Sequence, residues 1–219
     1  MVRREQRSLV LIDSFVAFGA GFMLSVAMLD MLPEAFARNA HPALFIFGGY
    51  LAVHLAQHVF APHFHYGEET HQVSRRSGIS ALVGLSIHTF FDGVAIASGF
   101  LISGRLGILL FLAVLLHKLP EGVAISSIMM AGGQGQKRAV WAAGLLGLAT
   151  VFGVVVTGRA GVLAEYGLAL SAGVTIYVAA SDLVPTFQTR RGFRMPLAFF
   201  GGAAAYYVTE LVLKAAGVS

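Results

Sequence analysis

Long apolar runs alternate with short polar breaks along the whole chain. Seven runs, near residues 9–33, 42–61, 78–102, 106–131, 138–158, 161–186 and 195–216, each have the length of about 20 residues that a helix needs to cross a bilayer. The breaks are 38–42, APHFHYGEETHQVSRRSG, 103–105, GGQGQKR, 157–159 and TRRGFRMP, and none is long enough for a soluble domain. The pattern therefore predicts one all-α membrane domain over residues 1–219. It is a polytopic bundle of seven transmembrane helices with a histidine-bearing loop at about 62–77.

Composition agrees with that pattern. Hydrophobic residues make up 57% of the chain and charged residues only 12%, with a mean hydropathy of +0.76, against roughly 25% charged in a soluble domain. Cysteine is absent, which excludes disulfides and thiolate metal sites and leaves His, carboxylate, Met or amide groups as possible ligands. The net charge of +4 does not point to nucleic acid, because the basic residues fall between apolar runs instead of forming one soluble face. The N-terminus is basic, but its apolar pattern runs on for about 20 residues without a small-residue cleavage site, so it reads as a retained first span. Counting Lys and Arg at alternate ends gives ten on one side (Arg3, Arg4, Arg7, Arg75, Arg76, Lys137, Arg138, Arg190, Arg191, Arg194) and four on the other (Arg38, Arg105, Arg159, Lys214). The positive-inside bias predicts a cytoplasmic N-terminus and loop and a C-terminus outside. Small residues within spans, among them Gly93, Ala97, Gly99, Gly144 and Gly147, predict closely packed helices.

One phrase occurs twice: HTFFDGVAIA at 88–97 and HKLPEGVAIS at 117–126. Each copy places a histidine four residues before a carboxylate, His88 with Asp92 and His117 with Glu121. Residues four apart share one helix face, so each copy aims an imidazole and a carboxylate at one point. The two copies lie on successive, antiparallel spans and can meet near the midplane. Ionisable groups at that depth are costly without a partner or polar cavity. A lone His there reads as structural; the duplicated pairs read as a shared metal site. Two imidazole nitrogens and two carboxylates suit Zn²⁺ and accept Fe²⁺, Mn²⁺, Co²⁺ or Cd²⁺. Pro120, just before Glu121, removes one backbone hydrogen bond and is expected to kink its span.

Further candidates surround this site. LDMLPEA at 29–35 and SDLVPTF at 181–187 place Asp30 and Asp182 near opposite membrane faces, where each is either a metal-path carboxylate or an ordinary helix-end group. Glu34 has a weaker case, since Pro33 signals a helix end. His54 and His58 share a helix face, and His63, His65 and His71 follow in the loop with Glu68 and Glu69. Such tracts either collect metal or supply ordinary loop polarity. Met23 either lines the site or simply packs.

At these residues the sequence resembles the ZIP family of divalent-metal transporters. That family carries a His-Asn-x-x-(Asp/Glu)-Gly motif on one helix and a (His/Gln)-(Glu/Asp)-x-Pro-(His/Glu)-(Glu/Gly) motif on the next, matched here by His88, Asp92, Gly93, His117, Pro120 and Glu121. The LPEA and YVAASDLVP stretches and the histidine-bearing loop add to the likeness. The resemblance implies uptake of zinc or a similar ion toward the cytoplasm, inverted pseudo-symmetry within an eight-helix fold, and a homodimer. Here the family's opening helix is expected to be missing. Family members often hold a second metal. The positions that match its ligands here are Thr89, Lys118 and Thr150, which predicts a mononuclear site with Lys118 as a tethered cation on Asp92 or Glu121.

Other functions fit less well. A zinc-dependent seven-helix intramembrane hydrolase needs three protein ligands and an open position for water, and the duplicated context points instead to a symmetric pathway. No HExxH occurs for a metalloprotease. A photoreceptor would have one Trp, Trp141, to build its chromophore pocket. A non-conducting metal-binding sensor of the same fold is the remaining alternative.

Overall fold

A computed structural model describes residues 2–60, 75–188 and 192–219, which are helical with no strand among them. The elements are α1 (Val2–Val26), a π-helical turn (Ala27–Met31), α2 (Leu32–Arg38), α3 (Pro42–Phe60), α4 (Arg75–Ile102), α5 (Gly104–Ala131), α6 (Gln136–Thr157), α7 (Gly161–Tyr177), a second π-helical turn (Val178–Leu183), α8 (Val184–Gln188) and α9 (Arg194–Ala215). Seven helical stretches are long and apolar enough to cross a membrane: Val10–Arg38, Pro42–Val59, Gly78–Ile102, Gly104–Ala131, Gln136–Thr157, Gly161–Leu183 and Arg194–Ala215. Large side chains such as Phe15, Leu44, Phe47, Trp141, Leu148 and Leu211 are exposed on the outside of the bundle, as a lipid-facing surface requires.

The first span does not stop at Pro33. It continues to Arg38, and Glu34 forms an ion pair with Arg38 one turn on. The reason lies in the π turn before the proline. A proline ring collides with the carbonyl four residues back and offers no N–H. Leu32 N–H instead reaches the Ala27 carbonyl five residues back, and the widened turn lets the helix run past the ring. The same device recurs ahead of Pro185, where Val184 N–H reaches the Ala179 carbonyl and the helix extends to Gln188. Both turns carry the Asp-x-x-Pro spacing, Asp30 to Pro33 and Asp182 to Pro185. In contrast, α5 is one continuous helix through Pro120, started by Ser103, whose Oγ accepts from Leu106 N–H at 3.1 Å.

Reciprocal glycines bring the helices together in three places. A Cβ added at Gly93 would lie 1.9 Å from the Thr150 carbonyl oxygen, and one at Gly153 would lie 2.1 Å from that of Phe90, so α4 and α6 touch backbone to backbone. Gly21 against Phe199 and Gly202 against Phe18 do the same for α1 and α9, at 2.0 and 1.9 Å. Gly49 against Leu170 and Gly173 against Ile46 join α3 to α7 at 1.9 and 1.8 Å. Gly144 and Gly147 do not serve the packing expected of them, because a Cβ at either meets nothing within 4 Å.

Two apolar cores result. The larger draws on α1, α3, α5, α7 and α9 and on Ala95 of α4, with Phe22, Leu109 and Tyr206 among its members. The smaller packs Ala81 and Leu85 of α4 against Ile125, Ile128 and Met129 of α5 and Ala139, Ala142 and Leu146 of α6. Helices α4 and α5 belong to both cores, and the repeated phrase falls between them.

Candidate metal centre

Helices α4 and α5 follow one another through a one-residue break at Ser103 and pack as an antiparallel pair. That pairing sets residues 88–92 opposite 117–121. One ligand atom from each of His88, Asp92, His117 and Glu121 lies within 4.8 Å of all the others, and all four side chains are buried. Asp92 Oδ2 is 3.3 Å from His88 Nε2 and 3.2 Å from His117 Nε2, while Glu121 Oε1 is 3.9 Å from His88 Nε2.

A hydrogen bond to its own helix orients one imidazole, and the other ring has none. His117 Nδ1–H donates to the Ala113 carbonyl one turn back at 2.9 Å, which directs Nε2 and its lone pair into the cluster. His88 has no aligned hydrogen bond at either ring nitrogen, and Glu121 Oε1 has none either. Leaving a buried polar atom unpaired costs roughly 1–3 kcal/mol, and two such atoms, His88 Nε2 and Glu121 Oε1, face each other at 3.9 Å where one ion would satisfy both. The donors, two neutral nitrogens and two carboxylate oxygens, are those a Zn²⁺-like ion takes.

Lys118 stands at the edge of this cluster, 20% exposed. Its Nζ donates to Asp92 Oδ2 at 2.6 Å and to Glu121 Oε2 at 2.7 Å, bridging both carboxylates. Thr89, the matching residue of the first copy, turns to its own helix and donates to the carbonyls of Leu85 and Ser86. Thr150 donates to the Leu146 carbonyl at 3.4 Å. A cavity of about 280 Å³ opens beside Lys118 and Glu121 between α5 and α6, walled largely by Phe111, Leu115, Gly147 and Val151.

The other sequence candidates lie apart from this cluster. Met23 is buried in the larger core. Asp30 is buried with both oxygens engaged: Arg105 Nη1 donates to Oδ1 at 3.0 Å and the Tyr206 hydroxyl to Oδ2 at 2.7 Å. Glu210 extends the network to Arg105 at 3.4 Å and to Lys214 at 2.6 Å. Asp182 accepts from Gln57 Nε2 at 2.6 Å. His54 and His58 are exposed and their rings lie 4.1 Å apart, with His54 also edge-on to Tyr177. His63, His65 and His71 lie outside the described residues. No sequence motif marks Arg105, Tyr206, Glu210 or Gln57 as partners of these acids. A buried Asp calls for a donor, but no local pattern says which distant residue supplies it.

A bundle of membrane-length helices that buries two imidazoles and two carboxylates at mid-span belongs among membrane proteins that handle a divalent cation. The family model described as ZIP Zinc transporter matches residues 62–210, about two thirds of the chain, and the chain belongs to that family. No curated protein matches the sequence.

Proposed function

We propose that the protein moves a divalent transition-metal ion, Zn²⁺ first, toward the cytoplasm by alternating access, holding one ion at His88, Asp92, His117 and Glu121. Fe²⁺, Mn²⁺, Co²⁺ and Cd²⁺ are further candidate substrates. The observation that carries this reading is the convergence of four buried ligand atoms within 4.8 Å, with His88 and Glu121 Oε1 left unpaired. An ion entering from outside exchanges hydration water for these ligands, and motion of one helix group against another then opens the site inward. Lys118 takes the place of a second ion. Membership of a family described as zinc transporters supports the class of cargo, and the distribution of Lys and Arg supports the cytoplasmic N-terminus. Asp30, Asp182, His54 and His58 are the accessory groups assigned to the path, and a homodimer is the assembly that the family resemblance implies.

The hydrolase alternative is weakened by the count of protein ligands, because four converge where a catalytic zinc site uses three and keeps a position for water. Liposomes that contain the purified protein and a trapped zinc indicator test the proposal. Zinc added outside is expected to enter, and to stop entering in His88→Ala. Tight binding of Zn²⁺ without entry of Zn²⁺, Cd²⁺, Mn²⁺ or Fe²⁺ would reject transport and leave a metal-binding sensor.

A further inference from the structure

We infer that Lys118 sets the metal selectivity of the site by limiting each carboxylate to a single metal bond, so that a four-coordinate ion such as Zn²⁺ or Co²⁺ is preferred to one that takes six or more ligands, such as Mn²⁺ or Ca²⁺. The inference rests on the metal-site reading above.

A carboxylate has two oxygens, and ions of high coordination number commonly take both. Here one oxygen of each acid is already occupied by the ammonium, Asp92 Oδ2 at 2.6 Å and Glu121 Oε2 at 2.7 Å. At Glu121 the division is clean: Oε2 faces Lys118, and Oε1 is unpaired and faces His88. At Asp92 the same oxygen, Oδ2, faces Lys118 and both imidazoles, so an ion held there shares that oxygen with the ammonium, which weakens one of the two bonds that chelation would need. The donor set closes at two nitrogens and two oxygens, a tetrahedral complement.

Among the described residues no further His, Asp or Glu joins these four. Thr89 and Thr150 each donate the hydroxyl proton to a carbonyl of their own helix, which holds the side chain against that helix, and a neutral hydroxyl is a far weaker ligand than a carboxylate. Extra ligands would have to be water carried in by the ion, and Lys118 lies beside Glu121 on the wall of the largely apolar cavity between α5 and α6, where such water would need room. Taking the ammonium away frees one oxygen on each acid and leaves that room. Both changes favour Mn²⁺, whose preferred surroundings are oxygen-rich and octahedral. Loss of the positive charge also strengthens binding of every dication, so the ratio of affinities carries the information and the absolute affinity does not.

Purified protein in detergent is titrated with Co²⁺, Zn²⁺ and Mn²⁺, with wild type, Lys118→Met, Lys118→Gln and Lys118→Arg compared at matched helical content. Wild type is expected to give the intense visible bands of tetrahedral Co²⁺. In Lys118→Met and Lys118→Gln these bands weaken and the Zn²⁺ to Mn²⁺ affinity ratio falls at least about tenfold, while Lys118→Arg keeps the wild-type behaviour. An unchanged ratio and spectrum in both neutral variants would overturn the inference. A shift in Lys118→Arg as large as in Lys118→Met would overturn it too, since packing and not charge would then be the cause. Wild type that binds none of the three ions would instead overturn the metal-site reading.

Discussion

Asp92 is the residue on which the cluster converges, with His88, His117 and Lys118 all within 3.3 Å of one oxygen. Asp92→Asn keeps the shape and removes the charge, leaving Lys118 only Glu121 as a counter-ion. Breaking a buried charge pair typically costs about 3–5 kcal/mol, and loss of a ligand adds to the metal deficit. Zn²⁺ affinity is expected to fall by at least about a hundredfold, beyond the ~10–100-fold typical of an outer-shell change, as read by competition with a chelating dye. Unaltered affinity would remove Asp92 from the ligand set. Tyr206→Phe makes a contrasting case. It strips Asp30 of one hydrogen bond and should lower stability by about 1–3 kcal/mol in thermal unfolding while leaving zinc affinity unchanged. The His88–Asp92 and His117–Glu121 pairs were legible in the sequence because four residues along a helix is one turn. The Asp30 partners were not, because Arg105 and Tyr206 lie 75 and 176 residues away.

Helix packing turns on backbone approach. Gly153→Ala would drive a methyl group to 2.1 Å from the Phe90 carbonyl oxygen, directly behind the ligand-bearing turn of α4. Neither backbone can yield locally, so the loss is expected at or above the upper end of the ~1–3 kcal/mol usual for overpacking. Gly147→Ala, facing open space on the same helix, should leave stability unchanged or raise it by up to about 1 kcal/mol, a rise of no more than about 4 °C in melting temperature. Equal effects of the two substitutions would contradict the close α4–α6 contact. Glycine content alone announced tight packing, yet it did not separate Gly153 from Gly144 and Gly147. Which side of a helix meets a neighbour depends on rotation about its axis, and α6 is apolar all round. The π turns show the same limit. Pro33 reads as a stop by its local chemistry, but a widened turn carried the helix on to Arg38.

For the whole molecule, the candidate site sits where α4 and α5 pass between the two apolar cores, so a bound ion would tie together the helices the cores share. Zn²⁺ at about 100 times its dissociation constant should then stabilise the folded protein by about 2.7 kcal/mol, and chelation should reverse the gain. Thermal unfolding with and without Zn²⁺ measures this, and His88→Ala should show no shift. A shift that survives in His88→Ala would mean that the ion binds elsewhere. The sequence by itself determined the seven spans and the two ligand pairs, because bilayer thickness sets helix length and helical pitch converts a spacing of four into one shared face. Tertiary structure alone decided that the two pairs close to within 4.8 Å, that Lys118 bridges both acids, and that Asp30 answers to Arg105 and Tyr206. Those contacts depend on how separate helices rotate and cross, and no spacing within one helix specifies that.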